Sequence, residues 1–302
     1  MFDQCNLPVL GLGVSLSLAD KPSPLSLYHN TTQSVRPQFV EYAGQCDVSF
    51  EKAALLDLQQ VNVPLLFHPA FINFCGSQAN SSDWLETANQ HIQHIQSPWF
   101  AQDCAYCFFS EQQGYASQMG YFIAPIMNQA SLALAVERVQ EVQHSIHTPV
   151  LVEPPPVSFV VGNLSVFEFF GAIAEQADCG LLLDMGHLVS YEMATGVSVF
   201  EGIDQLPTQR VIELHIAGGR LIKPEQPIYI DAHESAVLDE TWQMLDKMLP
   251  HLPHLKAVCF ECEGVEESLV FETLGIIRDK IIRYSANSEL INKVQEQAVS
   301  LP

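Results

Sequence analysis

Eight short apolar runs recur along this chain of 302 residues, and amphipathic stretches fill most of the gaps between them. The runs are "PVLGLGVSL" (8–16), "QFVEYA" (38–43), "VPLLFH" (63–68), "WFAQDCAYC" (99–107), "PVLVEP" (149–154), "GLLLDMG" (180–186), "RVIELHIAG" (210–218) and "AVCFECEG" (257–264). Most are apolar continuously rather than at alternate positions. A strand reads that way when both its faces are buried, as in a parallel sheet covered by helices. Segments 49–60, 80–96, 128–146, 164–177, 239–252 and 268–285 carry apolar residues at helical spacing or helix-start signals. This alternation predicts an α/β fold, a TIM-type (β/α)8 barrel over residues 1–285, followed by a polar tail at 286–302 that is free to fray. An open doubly wound sheet has less support. "GLGVSLSLAD" after the first strand holds only the first two glycines of a dinucleotide fingerprint.

Composition narrows the function. Hydrophobic residues make up 48% and charged residues 16%, which fits a large buried core. The 35 acidic and 13 basic residues leave a net charge of −22, which repels nucleic acid and anionic membrane. No apolar run reaches the roughly 18 residues of a membrane span. The start, "MFDQCNLPVLGLG", lacks the basic region of a secretory signal. The eight cysteines include the pairs "CAYC" (104–107) and "CFEC" (259–262). Both sit in strand-like runs, where buried reduced thiols are common, so a cytoplasmic protein with free thiols is expected.

The ends of the strands carry the chemistry, because catalytic groups of such barrels gather at the C-terminal mouth. Strand two ends near Glu41 and strand three at His68. Strand four carries Asp103 and Cys104. Strand five ends at Glu153, and strand six at Asp184 with His187 just beyond. Strand seven carries Glu213 and His215, and the following loop has Asp231 and His233. Strand eight carries Glu261 and Glu263 on one face. So many carboxylates in one cavity repel one another unless a cation compensates. Mixed nitrogen and oxygen donors suit iron, manganese or zinc, and the donors outnumber what one ion uses, so two or three ions are expected. The expected ligands are His68, Glu153, Asp184, His187, His215, Asp231, His233 and Glu261. His91, His94, His144, His147, His251 and His254 fall on helix faces or ends and read as surface residues. Met244 and Met248 read as helix packing.

These motifs, in this order, resemble the multinuclear non-heme iron-dependent oxidative enzymes, long known as a domain of unknown function. The resemblance covers roughly residues 8–280. It rests on "LLFHPAF" with His68, "VQEVQHSIHTPVLVEP" with Glu153, "LLLDMGH" with Asp184, "LHIAG" with His215, "DAH" with Asp231 and His233, and "FECE" with Glu261 and Glu263. It implies a barrel of the xylose-isomerase-like kind holding two or three iron ions in the Fe2+ and Fe3+ states. It also implies O2-dependent oxidation of a residue, commonly cysteine, in a ribosomally made peptide that a small partner protein presents. The chain departs from the pattern at three positions. Cys104 stands where the family has a histidine ligand, and Pro154 and His187 stand where it has asparagines. Asp103 and Cys104 are accordingly the expected catalytic pair at strand four. Two other readings fit the same residues: a divalent-metal sugar isomerase or epimerase on a related barrel, and a metal-binding scaffold without catalysis.

Overall fold

A computed structural model of the protein describes residues 2, 6–15, 22–43, 52–112, 115–223 and 227–296. The elements in chain order are β1 (Gly11–Ser15), α1 (Pro24–His29), β2 (Val40–Tyr42), α2 (Lys52–Gln60), β3 (Leu65–Phe67), α3 (Ser82–Ile95), β4 (Phe100–Asp103), β5 (Tyr106–Gln112), β6 (Tyr115–Ile123) and α4 (Gln129–Ser145). They continue with β7 (Val150–Glu153), α5 (Val166–Gln176), β8 (Gly180–Asp184), α6 (Met185–Thr195), β9 (Val211–Ala217), β10 (Gly219–Ile222), β11 (Ile228–Asp231), α7 (Asp239–Met248), β12 (Ala257–Glu261), α8 (Glu267–Tyr284) and α9 (Ser288–Gln295). Strands β1, β12, β9, β8, β7, β4, β3 and β2 close into a barrel in that order, every neighbour pair parallel. The eight apolar runs are these eight strands, and the fold is the predicted TIM-type barrel.

Two antiparallel hairpins, β5–β6 and β10–β11, stand outside the barrel. Neither is legible in the apolar pattern. The run 99–107 reads as one strand but holds two, because β4 stops at Asp103 and β5 starts at Tyr106.

Alternation along each strand divides the core into an inner and an outer layer. Phe39, Leu66, Trp99, Ala101, Leu151, Leu182, Ala257 and Cys259 form the inner cluster. Leu12, Val40, Phe67, Phe100, Val152, Leu183, Val258 and their helix partners form the outer one. Gly13 makes room inside the barrel: a Cβ there would lie 2.5 Å from the ring of Phe39. Cys75, Cys104, Cys179, Cys259 and Cys262 are free and buried, and the side chain of Cys107 lies outside the described residues.

Helix starts follow local rules. Asn128 accepts from the Ser131 amide, and Ser165 with Glu168 forms a reciprocal capping box on α5. The polar stretch after 285 is not a frayed tail through its first part. Asn287 caps α9, whose Leu290 and Val294 are buried, and Gln38 Nε2 donates to the Lys293 carbonyl. His91 also corrects the sequence reading: it is buried, not on the surface. Its ring stacks on Phe67 at 4.6 Å between centroids, and its Nδ1 lies 3.0 Å from the Tyr42 hydroxyl. Met244 and Met248 pack inside α7 as expected. Among the described residues no helix is long and apolar enough to cross a membrane.

Candidate metal centre

The rule that fills the inner cluster also builds the mouth. On six strands the last inward apolar residue is followed two positions later by a polar one: Phe39 by Glu41, Leu66 by His68, Ala101 by Asp103, Leu151 by Glu153, Leu182 by Asp184, Cys259 by Glu261. In β9 an irregularity in the pairing with β8 between Leu181 and Leu182 shifts the phase, so Glu213 and His215 follow Ile212 into the interior. Asp184 has a second task. It is the N-cap of α6, and its Oδ1 accepts from the His187 amide at 2.7 Å, which fixes His187 in the first turn. The β10–β11 hairpin folds Asp231 and His233 over the same opening.

The side chains interlock in pairs. His68 Nε2 lies 3.4 Å from Glu153 Oε2 and 3.9 Å from Asp103 Oδ2. His187 Nδ1 is 3.2 Å from Glu153 Oε1 and 3.0 Å from the Pro154 carbonyl, which can only accept, so this nitrogen carries a proton. Its Nε2 faces Asp231 at 3.6 Å and Asp184 at 3.9 Å. His215 Nδ1 is 3.4 Å from Glu261 Oε1, and its Nε2 is 3.2 Å from Glu41 Oε1. His233 Nε2 faces Asp231 at 3.2 Å and Glu261 at 3.5 Å, while its Nδ1 bonds Glu263 at 2.7 Å.

Three sets of ligand-type atoms approach within 4.8 Å of one another: Glu41, His68 and His215; His68, Asp103 and Glu153; Asp184, His215 and Glu261. His187, Asp231 and His233 join these sets through the pairwise contacts. Cys104 does not join them. Because Asp103 points inward, the next side chain turns outward, and Cys104 packs in the apolar outer cluster with no exposed surface. The strand-four position facing the mouth is therefore Asp103 alone. Sequence reasoning also left Glu41 out of the ligand set, although its spacing from Phe39 matches that of His68 from Leu66.

Electrostatics mark the mouth as a place built for cations. Burial, with Asp103 adding to it, pushes Glu153 up to about 7, and burial with Glu41 nearby pushes Glu213 up to about 8. Burial, partly offset by His187, raises Asp184 to about 6. Burial opposes charge on His68, yet Glu41, Asp103 and Glu153 overcome it and hold the ring at about 9. Burial likewise opposes charge on His233, and Glu261, Asp231 and Glu263 raise it to about 12. The donor atoms are also short of partners: Glu41 Oε1 and Oε2, His68 Nδ1, Asp103 Oδ1, Glu153 Oε1 and Oε2, Asp184 Oδ2, His215 Nε2 and Asp231 Oδ1 are buried without a hydrogen bond. Unpartnered buried polar atoms are rare unless an ion or water completes them. Glu213 is held from below through one oxygen, since Trp99 Nε1–H donates to Oε2 at 2.7 Å, while its Oε1 is buried without a hydrogen bond. Two surface clefts of about 600 and 640 Å³ lie at the opposite end of the barrel, among residues that precede the strands, and none of the three ligand sets is there.

The sequence pattern of a family described as "RiPP precursor modification enzyme MbnB/TglH/ChrH" matches residues 9–265, from the first strand to just past Glu263. The chain belongs to this family. Relatives in the MbnB/TglH/ChrH family's sequence neighbourhood carry the name UPF0276 protein. One from Shewanella sediminis is 27% identical over 194 residues, 62% of each chain. One from Paraburkholderia phytofirmans is 30% identical over 45% of this chain and 47% of its own, so the chain spans less than two thirds of these relatives. One from Neisseria meningitidis serogroup B is 24% identical over 83% of this chain and 86% of its own. Solved structures share the fold: a xylose isomerase-like TIM barrel protein from Mycobacterium smegmatis in complex with magnesium has a TM-score of 0.59 at 10% identity, covering 94% of this chain and 99% of its own. A D-allulose 3-epimerase from Methylomonas has a TM-score of 0.53 at 11% identity, covering 95% and 98%. The family match and the structural matches thus give the chain its family and its TIM-type barrel.

Proposed function

We propose that this protein is a multinuclear non-heme iron-dependent oxidative enzyme that uses O2 to modify a residue, often cysteine, of a ribosomally made peptide. The observation that carries this reading is the crowd of buried, unpartnered nitrogen and oxygen donors at one barrel mouth. Membership of a peptide-modifying family supports the substrate class. His68, Glu153, Asp184, His187, His215, Asp231, His233 and Glu261 hold two or three iron ions, with Asp103 beside them; manganese or zinc fits the same donors. Bound iron supplies the redox chemistry with O2 and a Lewis-acidic seat for a substrate thiolate.

The chain's own groups set the conditions. The Pro154 carbonyl fixes the tautomer of His187, leaving Nε2 as its donor, and Glu263 does the same for His233. Burial of Glu153, Asp184 and Glu261 keeps bulk water from the donors. Peptide and partner approach over the loop after β7. There Phe159 and Val161 are exposed and line an apolar groove of about 530 Å³ with Ile123, Ile126, Met127 and Val157. A small protein presenting the peptide docks on that groove, in the cytoplasm, where peptide thiols stay reduced.

The test is anaerobic purification, iron analysis, and O2 uptake with a cysteine-containing peptide encoded beside the gene, followed by mass spectrometry of the peptide. Iron retention with O2 uptake and a peptide mass change supports the proposal. A protein that binds divalent metal but interconverts sugars without consuming O2 refutes it, as does one that binds metal and does neither. Phe159→Asp should weaken capture of peptide and partner while leaving the iron content unchanged.

A further inference from the structure

The ligand set above leaves out one strand that reaches the mouth. Glu41 is buried at 1% exposure, and neither carboxylate oxygen has a hydrogen-bond partner. The two histidines facing it share this feature, since His68 Nδ1 and His215 Nε2 are also buried without a hydrogen bond. All three residues place a ligand atom within 4.8 Å of one another. Each histidine meanwhile turns its other nitrogen to a different carboxylate: His68 Nε2 to Glu153 and Asp103, His215 Nδ1 to Glu261. His215 thus bridges Glu41 and Glu261 through its two nitrogens, and His68 keeps Nδ1 buried without a partner while Nε2 faces Glu153 and Asp103. The close approach of His215 Nε2 to Glu41 Oε1, 3.2 Å, involves one carboxylate oxygen and leaves Oε2 without a partner. A buried anionic oxygen without a partner is costly, and a cation seated among the three residues removes that cost.

We propose that Glu41 is a metal ligand, and that Glu41, His68 and His215 hold a divalent cation on the β2 side of the mouth. Two imidazole nitrogens and a carboxylate suit iron, manganese or zinc rather than calcium or magnesium. This position neighbours the Asp103 and Asp184 sets and shares its histidines with them, so it extends the ion cluster across the barrel. The inference rests on the multinuclear reading above, and its test separates the two.

Metal is stripped from the full chain, Mn2+ or anaerobic Fe2+ is added back, and bound metal per chain is counted after gel filtration. Glu41→Gln keeps the shape of the side chain and removes the charge. We expect it to bind one ion per chain fewer than the wild type, or to hold one ion at least about 100-fold more weakly. Glu41→Asp keeps the charge on a shorter stem; it should bind all the ions, one of them more weakly, and it remains informative if the Gln variant does not fold. Unchanged ion count and affinities in either variant, with several ions in the wild type, overturn the role of Glu41 and leave the multinuclear reading standing. A wild type that binds no metal overturns both.

Discussion

Glu153→Gln separates a metal ligand from a structural ion pair. Glu153 ends β7 at 1% exposure, with one oxygen 3.2 Å from His187 Nδ1 and the other 3.4 Å from His68 Nε2. Burial raises its carboxyl to about 7, so at pH 6 the metal-free protein holds it mostly protonated. Glutamine has the shape and neutrality of that protonated acid. The metal-free variant at pH 6 should therefore lose less than about 1 kcal/mol, whereas breaking a buried ion pair costs roughly 3–5 kcal/mol. With metal the expectation reverses. One ion at about 100 times its dissociation constant stabilises the wild type by about 2.7 kcal/mol, a rise of about 4 °C for a chain of this length. A ligand loss that weakens binding about 100-fold reduces this gain to about 0.4 kcal/mol. The assay is urea and thermal unfolding at pH 6 with and without Mn2+. A Gln variant that keeps the full metal-dependent rise refutes ligation by Glu153, and a metal-free variant weakened by 3 kcal/mol or more identifies a structural pair instead.

Cys104→Ser should leave the metal count unchanged, because the thiol packs in the outer cluster. It should lower stability by roughly 1–3 kcal/mol from a buried hydroxyl; loss of an ion would return position 104 to the site. Gly13→Ala should destabilise by about 1–3 kcal/mol in urea unfolding, since its Cβ meets the Phe39 ring at 2.5 Å; an unchanged midpoint would show that Phe39 moves freely. Metal-free stability should fall between pH 6.5 and 9. His68 rises from an ordinary 6.5 to about 9 in the folded protein, so its contribution is full below 6.5 and is lost as pH rises through 9. Glu213 at about 8 and Glu153 at about 7 act in the same direction. The His68 share is on the order of 3 kcal/mol, and urea unfolding at both pH values that shows rising stability would contradict it. Metal should flatten this slope, because bound ions displace the protons.

The local pattern of the chain determined the barrel and most of its mouth. A strand buried on both faces must be apolar throughout, so eight such runs declare themselves, and period two carries the inward face from Leu151 to Glu153 and from Leu182 to Asp184. The spacing of Asp184 and His187 is likewise local, one turn of a helix that Asp184 itself caps. His91 shares the buried face of α3 with Trp84, Ala88 and Ile95, but a histidine on an amphipathic helix gives no local sign that a tyrosine and a phenylalanine will cover it. Which side of residue 103 β4 ends on is decided by pairing with β7, where Asp103 meets Glu153 in register and the Cys104 amide donates to the Glu153 carbonyl. That register, not the run of apolar letters, sends Asp103 in and Cys104 out. Glu41 is the plainest case. β2 and β9 are separated in the barrel by β1 and β12, and only closure of the sheet brings Glu41 across the mouth to His215. Periodicity tells a residue which face it occupies, but the neighbour it meets on that face is set by strand order and curvature, which exist only once the chain has closed.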